Sequence, residues 1–301
     1  MYKIIDFFRF QKLFSTDQKC WHFLFKQRWP DGFICPKCDC SEYSFIKNRK
    51  LCQCKSCRYQ CSVTAGTIFH KTKTSLKKIF WLIYFISHDK IGHSALDLTR
   101  KLDISYKVAW SIGQKIRLAM IERDANYKLA GLLEPDDAYF GAKNAPGQRG
   151  RGADKKSPVI VAAQLDDNKR PMYASMIVVD NLEKENVKQT ATENIEKGST
   201  IKTDGYSSYN ILKKSGYKHL PEIIGDPKNA SKILPWVHIF ILNAKSMIRG
   251  TYKGVSPKYL QRYLSEFCYR LNRRFNVDTI FDRLLTACIE KEHITIKMLR
   301  A

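Results

Sequence analysis

The chain has 301 residues, of which 44% are hydrophobic and 12% aromatic, so it can bury a sizeable core and does not resemble a disordered protein. Its 52 lysines and arginines exceed its 29 acidic residues, and the resulting formal charge of +23 attracts polyanions. Nucleic acid is therefore the first candidate partner. An anionic membrane surface would call for an amphipathic helix or a lipid signal, and the sequence shows neither.

The amino-terminal residues do not form a secretory signal, because charges interrupt their apolar stretch. The longest apolar run, Ile79 to Ile86, is far shorter than the ~20 residues that span a bilayer. We therefore expect a cytoplasmic protein. Ten cysteines in such a chain fit a reducing compartment and one metal site.

Two Cys-x-x-Cys motifs follow a predicted helical lead-in over residues 1–30. Cys35 and Cys38 form the first motif, Cys54 and Cys57 the second, and fifteen residues separate them. Four thiolates at this spacing suit a tetrahedral, structural Zn²⁺ site. The sequence thus predicts a zinc ribbon over residues 31–67, with free or disulfide-bonded thiols as the alternative. Three nearby cysteines remain possible substitute ligands: Cys40, Cys52 and Cys61.

A helical unit is predicted over residues 72–125, with Thr74 or Ser75 capping its first helix. Two more helices follow, over residues 92–102 and 105–120. The last has an apolar face and an outward basic face, which resembles the recognition helix of a helix-turn-helix. An ordinary basic amphipathic helix in a bundle explains the pattern equally well. The predicted apolar residues are Val108, Ile112 and Ile116, and the predicted outward residues are Tyr106, Lys107, Gln114, Lys115 and Arg117.

The pattern changes to strands after Gly131. Residues 132–140, 158–165 and 171–179 predict an antiparallel meander, followed by a helix over 182–195 and a strand over 200–203. Further helices complete an α/β unit over residues 131–280, and residues 281–301 are predicted as a helical tail. The basic loop 141–157 is interpreted as a solvated hairpin loop or a DNA contact. No phosphate-binding Gly-x-x-x-x-Gly-Lys-[Ser/Thr] motif occurs, so no nucleotide cofactor is expected.

Two aspartates lie on strands that are predicted to be central in this sheet. Asp136 is on the first strand, and Asp204 ends the fourth. Phosphodiester chemistry without a covalent enzyme intermediate uses two Mg²⁺ ions, which prefer carboxylate oxygens. The β-β-β-α-β order with carboxylates at these places is the arrangement of RNase H-like nucleases and transposases. The alternative is a pair of solvated turn aspartates.

Several separated motifs occur together and in order. They are Arg28-Trp-Pro-Asp-Gly-Phe33, Gly66-Thr-Ile-Phe-His70, Asp136 with Tyr139, Asp204-Gly-Tyr206, His238, Asn243-Ala-Lys245, Arg249-Gly-Thr-Tyr-Lys-Gly254, Tyr263-Leu-Ser-Glu-Phe267 and Arg270-Leu-Asn-Arg-Arg274. With the two cysteine motifs, this set resembles the zinc-ribbon insertion-sequence transposases of the ISXO-like group. The resemblance implies an RNase H-like mixed sheet with flanking helices, preceded by a zinc ribbon and a small helix-turn-helix-like unit.

The resemblance also implies a catalytic triad of Asp136, Asp204 and Asn243, which would hold Mg²⁺ or Mn²⁺. Many transposases have Glu at the third position, and an amide oxygen can ligate Mg²⁺ but supplies no charge. Glu266 is therefore a second candidate for the missing acid. Asp137 alternates to the opposite strand face from Asp136, so only one of the two can point at the site.

The implied function is cleavage at terminal inverted repeats and transfer of 3′-hydroxyl ends into target DNA. The expected partner is double-stranded DNA, bound by a homodimer or larger assembly in association with the nucleoid. The alternatives are a catalytically inactive DNA-binding protein and an RNase H-like nuclease. The candidate DNA-contacting residues are Lys107, Lys115, Arg117, Arg149, Arg151, Lys245, Arg249, Arg270 and Arg273.

Overall fold

The structure is a computed structural model that describes residues 6–141, 156–222 and 233–300. The helices are α1 (Phe7–Leu13), α2 (Asp17–Arg28), α3 (Leu76–His88), α4 (Ala95–Leu102), α5 (Tyr106–Asp124), α6 (Lys184–Asn194), α7 (Ile211–Lys214), α8 (Pro235–Gly250), α9 (Pro257–Leu271), α10 (Val277–Glu290) and α11 (Ile296–Arg300). The strands are β1 (Tyr43–Ile46), β2 (Leu51–Cys54), β3 (Gln60–Ser62), β4 (Leu132–Gly141), β5 (Lys156–Leu165), β6 (Pro171–Val178), β7 (Thr200–Thr203) and β8 (Lys218–Pro221).

The chain divides into two compact units. The first comprises Met1–Asp89, Ala95–Ala119 and Asn276–Ala301, and the second comprises Lys90–Ser94 and Met120–Phe275. The boundary between the two units falls within α5, and the chain returns to the first unit after residue 275. Among the described residues, no helix combines the length and the apolar content that crossing a bilayer requires.

The first unit joins a small antiparallel sheet, in the order β1-β2-β3, to helices. Ser75 caps α3 as expected, because its Oγ accepts a hydrogen bond from the Lys78 amide at 3.3 Å. The core of the helices is aromatic, and the ring of Phe281 on α10 lies 5.0 Å from that of Phe10 on α1. Residues 277–290 therefore pack in this unit, and they include the first part of the helical tail predicted for 281–301.

Helix α5 does not have the outward basic face that its sequence predicts. Gln114 is 0% exposed and Arg117 is 4% exposed, so the helix is enclosed on several sides. Gly113 leaves room for the Arg117 guanidinium, since an added Cβ there would lie 3.1 Å from it. The exposed residues of the helix are Tyr106 and Lys107 in its first turn and Glu122 in its last.

The second unit contains a five-stranded sheet in the order β6-β5-β4-β7-β8. β4 and β5 pair antiparallel, as do β5 and β6, whereas β4, β7 and β8 are parallel. This is an RNase H-like sheet, and the expected strands are present. β8 was missed by the sequence analysis because it is only four residues long and largely exposed.

The two faces of this sheet pack against different helices. Ala138 and Phe140 of β4 contribute to a core with α8 and α9. Leu133 and Tyr139 contribute to the opposite core, which includes residues of α6. Since side chains alternate along a strand, Asp136 lies on the α8 face and Asp137 on the other.

Residues 90–94 belong to the second unit and approach its buried ion pair closely. Gly92 has φ +73°, and an added Cβ would lie 2.5 Å from Tyr252 Oη and 2.9 Å from Glu266 Oε1. Glu266 is 0% exposed and bonds to both Tyr252 and Arg270. Only glycine fits this position without displacing the pair.

Candidate active site and metal centre

The four predicted zinc ligands form a compact cluster. Their sulfur atoms all lie within 4.8 Å of one another, with Cys35 and Cys57 at 3.6 Å and Cys38 and Cys54 at 3.6 Å. A tetrahedral Zn²⁺ with Zn–S bonds of about 2.3 Å places its sulfurs about 3.8 Å apart. The donor set and its spacing therefore fit zinc.

Both Cys-x-x-Cys motifs adopt the same backbone turn. The residue after the second cysteine is left-handed in each, with φ 56° at Asp39 and 58° at Arg58. The Cys35 amide donates to the Cys40 carbonyl at 3.0 Å, and the Cys54 amide donates to the Tyr59 carbonyl at 3.0 Å. These matching turns direct two pairs of thiols at one point.

The other three cysteines of the ribbon lie outside this cluster. Cys52 and Cys61 are buried cross-strand neighbours on β2 and β3, and burial raises the pKa of Cys52 to about 11. The Cys40 thiol lies 3.9 Å from the Glu42 carbonyl. Arg28 of α2 donates to the carbonyls of Ser62 and Val63, at 3.2 and 2.9 Å, and so ties the ribbon to the helix.

The second candidate site lies where β4 and β7 run side by side. Leu132 and Leu133 pair in parallel with Thr200 and Ile201. This pairing ends at Leu133 and Ile201, three residues before Asp136 on one strand and three before Asp204 on the other. The register therefore predicts that the two carboxylates lie on neighbouring strands and on the same face of the sheet.

Backbone amides orient both aspartates. The Asp137 amide donates to Asp136 Oδ1 at 2.8 Å, and the Tyr206 amide donates to Asp204 Oδ1 at 3.0 Å. Gly205, with φ +82°, makes the turn that follows Asp204. Carboxylate oxygens held in this way suit Mg²⁺ or Mn²⁺, whose remaining ligands are commonly water and substrate phosphate.

Two residues of this site were not given a role by the sequence analysis. His238 Nδ1 on α8 lies 3.5 Å from Asp136 Oδ2. Glu134, which is 4% exposed, accepts a hydrogen bond from the Trp236 amide at 3.2 Å, and burial raises its pKa. His238 precedes Lys245 by seven residues, which is about two helical turns. This spacing could have indicated from the sequence that His238 lies on the same side of α8 as Lys245.

The third predicted catalytic residue, Asn243, lies on a different side of α8 from His238. Asn243 is exposed on α8, five residues from His238, and five residues correspond to about 140° of rotation around a helix. Asn243 therefore does not share the helix flank that contacts Asp136. Glu266 is excluded as a metal ligand by its complete burial and its bonds to Arg270 and Tyr252.

The predicted DNA-contacting residues fall into two groups. Lys107 and Arg249 are exposed. Lys245 is half-buried, with Nζ 5.6 Å from the Phe140 ring, and burial lowers its pKa while the nearby Asp136 carboxylate acts in the opposite direction. These three residues remain candidates, whereas Arg149 and Arg151 lie outside the described residues.

The other predicted DNA contacts are corrected by the structure. Arg117, Arg270 and Arg273 are 4%, 7% and 8% exposed, so DNA cannot reach them in this conformation. Arg273 pairs with Asp124 at 2.6 Å, and Arg270 pairs with Glu266. Lys115 is half-buried and donates to the Ile68 carbonyl at 2.9 Å. These side chains stabilise the fold.

Comparison with known proteins gives two family matches. Residues 15–60 match the transposase zinc-ribbon domain, and residues 128–272 match the ISXO2-like transposase domain. Together the two matches cover more than half of the chain. No curated protein sequence matches it.

The chain also resembles two crystal structures of the Mos1 transposase. A pre-cleavage Mos1 transpososome is 10% identical, with 68% of this chain and 76% of that chain covered and a TM-score of 0.30. A Mos1 mariner paired end complex with Mn is 12% identical, with 66% and 72% covered and a TM-score of 0.29.

Proposed function

Because the chain belongs to the zinc-ribbon family of ISXO2-like insertion-sequence transposases, we propose that it cuts DNA at the terminal inverted repeats of its element and joins the freed 3′-hydroxyls to target DNA. The observation that supports this proposal is the parallel pairing of β4 with β7, whose register, continued by three residues, aligns Asp136 with Asp204. Two neighbouring carboxylates are the oxygen donors that two-metal phosphodiester chemistry uses.

The residues of the acidic site have separable roles in this proposal. Asp136 and Asp204 would hold two divalent cations, and the chemistry that such ions would supply is activation of water or a 3′-hydroxyl and stabilisation of the leaving oxygen. The amides of Asp137 and Tyr206 fix the carboxylates before DNA arrives. Lys245 and Arg249 bind phosphate next to the acidic pair.

The first unit supplies the DNA-recognising part of the proposal. Zn²⁺ bound by Cys35, Cys38, Cys54 and Cys57 stabilises the ribbon. The exposed first turn of α5 is the end of a recognition helix, where Tyr106 contacts base edges and Lys107 binds phosphate. Transposition requires two DNA ends in one complex, so we expect at least a dimer on DNA.

The test is a cleavage and strand-transfer assay on duplexes that carry the DNA ends flanking this gene, with Mg²⁺ or Mn²⁺. We expect cut and joined products from the wild type and none from Asp204→Ala. The matched control is Asp167→Ala, which removes an exposed aspartate from the turn between β5 and β6. This variant is expected to keep full activity.

The other outcomes identify the alternative functions. Tight DNA binding without metal-dependent cleavage, in the wild type as in Asp204→Ala, would contradict the proposal and favour a DNA-binding remnant. Cleavage without any joined product would favour an RNase H-like nuclease. Equal activity of the wild type and Asp204→Ala would remove Asp204 from the mechanism.

A further inference from the structure

One flank of α8 faces the acidic pair. His238 Nδ1 lies 3.5 Å from Asp136 Oδ2, and the two side chains are 29% and 14% exposed. A helix turns about 100° per residue, so Lys245, seven residues later, lies within about 20° of His238. The Asp136 charge acts on Lys245, as expected for residues on the same side. His238 and Lys245 therefore mark the flank of α8 that is directed at Asp136.

The flank that carries Asn243 is directed elsewhere. Trp236 precedes Asn243 by seven residues and so lies within about 20° of it around the helix. Trp236 Nε1 donates to the Lys169 carbonyl at 2.8 Å, in the turn between β5 and β6. In the sheet, β5 lies on the opposite side of β4 from β7, the strand that Asp204 follows. Asn243 thus shares its flank with a residue that is anchored away from Asp204.

Glu134 fixes the orientation of α8 about its own axis. It lies two residues before Asp136 on the same strand face, and its Oε2 accepts from the Trp236 amide at 3.2 Å. A carboxylate at a helix amino terminus is stabilised by the helix dipole. Strand β4 therefore holds both Asp136 and the first turn of α8, which keeps His238 at Asp136. Since Glu134 binds the helix amide and is 4% exposed, it is not available as a third metal ligand.

We propose that His238, in place of Asn243, is the third metal-binding side chain of this site, beside Asp136 and Asp204. The proposal rests on the function proposed above and adds one metal-binding residue to it. The observation that carries it is the 3.5 Å between His238 Nδ1 and Asp136 Oδ2, a distance that would let both side chains bind one divalent cation. Among the described residues, only the four cysteines gather three or more metal-binding side chains around one point, so His238 and Asp136 are the two ligands that the structure already holds together.

A histidine ligand has a chemical consequence that an amide ligand lacks. Imidazole nitrogen is a softer donor than oxygen, and it favours transition metals over Mg²⁺. The site should therefore prefer Mn²⁺ to Mg²⁺ more strongly than an all-oxygen site does. Replacement of His238 by Glu should return the preference toward Mg²⁺.

The first experiment measures Mn²⁺ binding to the zinc-loaded full chain without DNA, from the electron paramagnetic resonance signal of free Mn²⁺. We expect His238→Ala to weaken binding about tenfold or more, a loss that either a ligand or a residue orienting a ligand can cause, so the variants described below distinguish the two. Asn243→Ala changes an exposed residue of the same helix and should leave the Kd within about twofold. Strong weakening by Asn243→Ala but not by His238→Ala would overturn the proposal.

Two further variants, His238→Glu and Asp204→Ala, show whether His238 binds the metal ion itself or only contacts Asp136. If His238 only donates a hydrogen bond to Asp136, His238→Glu places two carboxylates together and should bind Mg²⁺ no better than His238→Ala. If His238 is a ligand, His238→Glu should restore Mg²⁺-dependent cleavage and lower the ratio of Mn²⁺ to Mg²⁺ affinity. Binding lost in Asp204→Ala but kept in His238→Ala would overturn only this inference. Binding kept in both would also overturn the metal role of Asp136 and Asp204.

Discussion

The zinc ribbon and the acidic site are both candidate metal centres, but they are built over very different distances in the sequence. The cysteines all lie between residues 35 and 57, and each pair is held by a local backbone turn. The acidic site combines residues from 136 to 238, on two strands and a helix. Spacing along the chain therefore identifies the first site completely, whereas packing decides which side chains enter the second.

Removal of zinc should give the largest effect, because one ion would hold both Cys-x-x-Cys turns together. Structural Zn²⁺ contributes apparent binding free energies of about 10–16 kcal/mol in zinc-finger peptides. We expect Cys54→Ala, or a strong chelator, to unfold the ribbon, as measured by circular dichroism and zinc content. The control is Cys40→Ala, which lies outside the cluster and should keep zinc. An ordered ribbon after complete zinc loss would contradict this.

The second unit should lose the most stability when its buried ion pair is broken. Glu266→Ala leaves Arg270 as an uncompensated charge that is 7% exposed, and breaking a buried pair costs about 3–5 kcal/mol. We expect a loss of that size in the free energy of unfolding, measured in urea. A control at an exposed pair, Glu222→Ala beside Lys202, should cost less than about 1 kcal/mol. Equal losses in the two variants would show that the pair is not buried in solution.

Glu134 offers a smaller and more specific test of the acidic site. Loss of a side chain that accepts from a helix amide costs about 0.5–2 kcal/mol, so Glu134→Ala should lower stability by that amount. Glu134→Gln retains an acceptor oxygen and should recover most of it. If Glu134 were a metal ligand, Glu134→Gln would instead keep stability and lose Mn²⁺ binding.

The exposed basic residues should show the smallest effect on folding. Arg249→Ala and Lys107→Ala each remove one phosphate contact, so we expect the slope of log K against log salt to fall by about one. Their unfolding free energies should stay within about 0.5 kcal/mol of the wild type. Arg273→Ala, which breaks the pair with Asp124, should show the opposite pattern of lost stability. DNA titrations at several salt concentrations would measure the slopes.

The sequence predicted much of the architecture because the responsible patterns are local. The cysteine spacing, the strands β4 to β7 and the Ser75 cap were predicted from neighbouring residues and are present in the structure. The resemblance to a transposase family also predicted the RNase H-like sheet correctly. The metal-binding roles of Asp136 and Asp204 stay predictions until they are tested.

The failures share a different physical cause. Periodicity gives the angles between side chains on a helix but not which angle faces the sheet, so it could not show which of Asn243 and His238 lies nearer to Asp136. The metal-binding role of Asn243, which the resemblance implies, stays a prediction. Arg273 looked like a phosphate contact because its partner Asp124 is distant in sequence. Arg117 and Arg270 are 4% and 7% exposed, and periodicity along one helix does not show such burial. The packing of α10 with α1 likewise joins residues from opposite ends of the described chain.

That last contact has a consequence for how the protein is made. Phe281 belongs to the same aromatic core as Phe10 and Phe14, so the first unit lacks part of its interior until the ribosome has synthesised α10. The second unit ends at Phe275, so all of it is synthesised before that point. The sheet that carries Asp136 and Asp204 can therefore fold on the nascent chain first. A chain released before residue 277 would carry the acidic site without a finished ribbon-bearing unit.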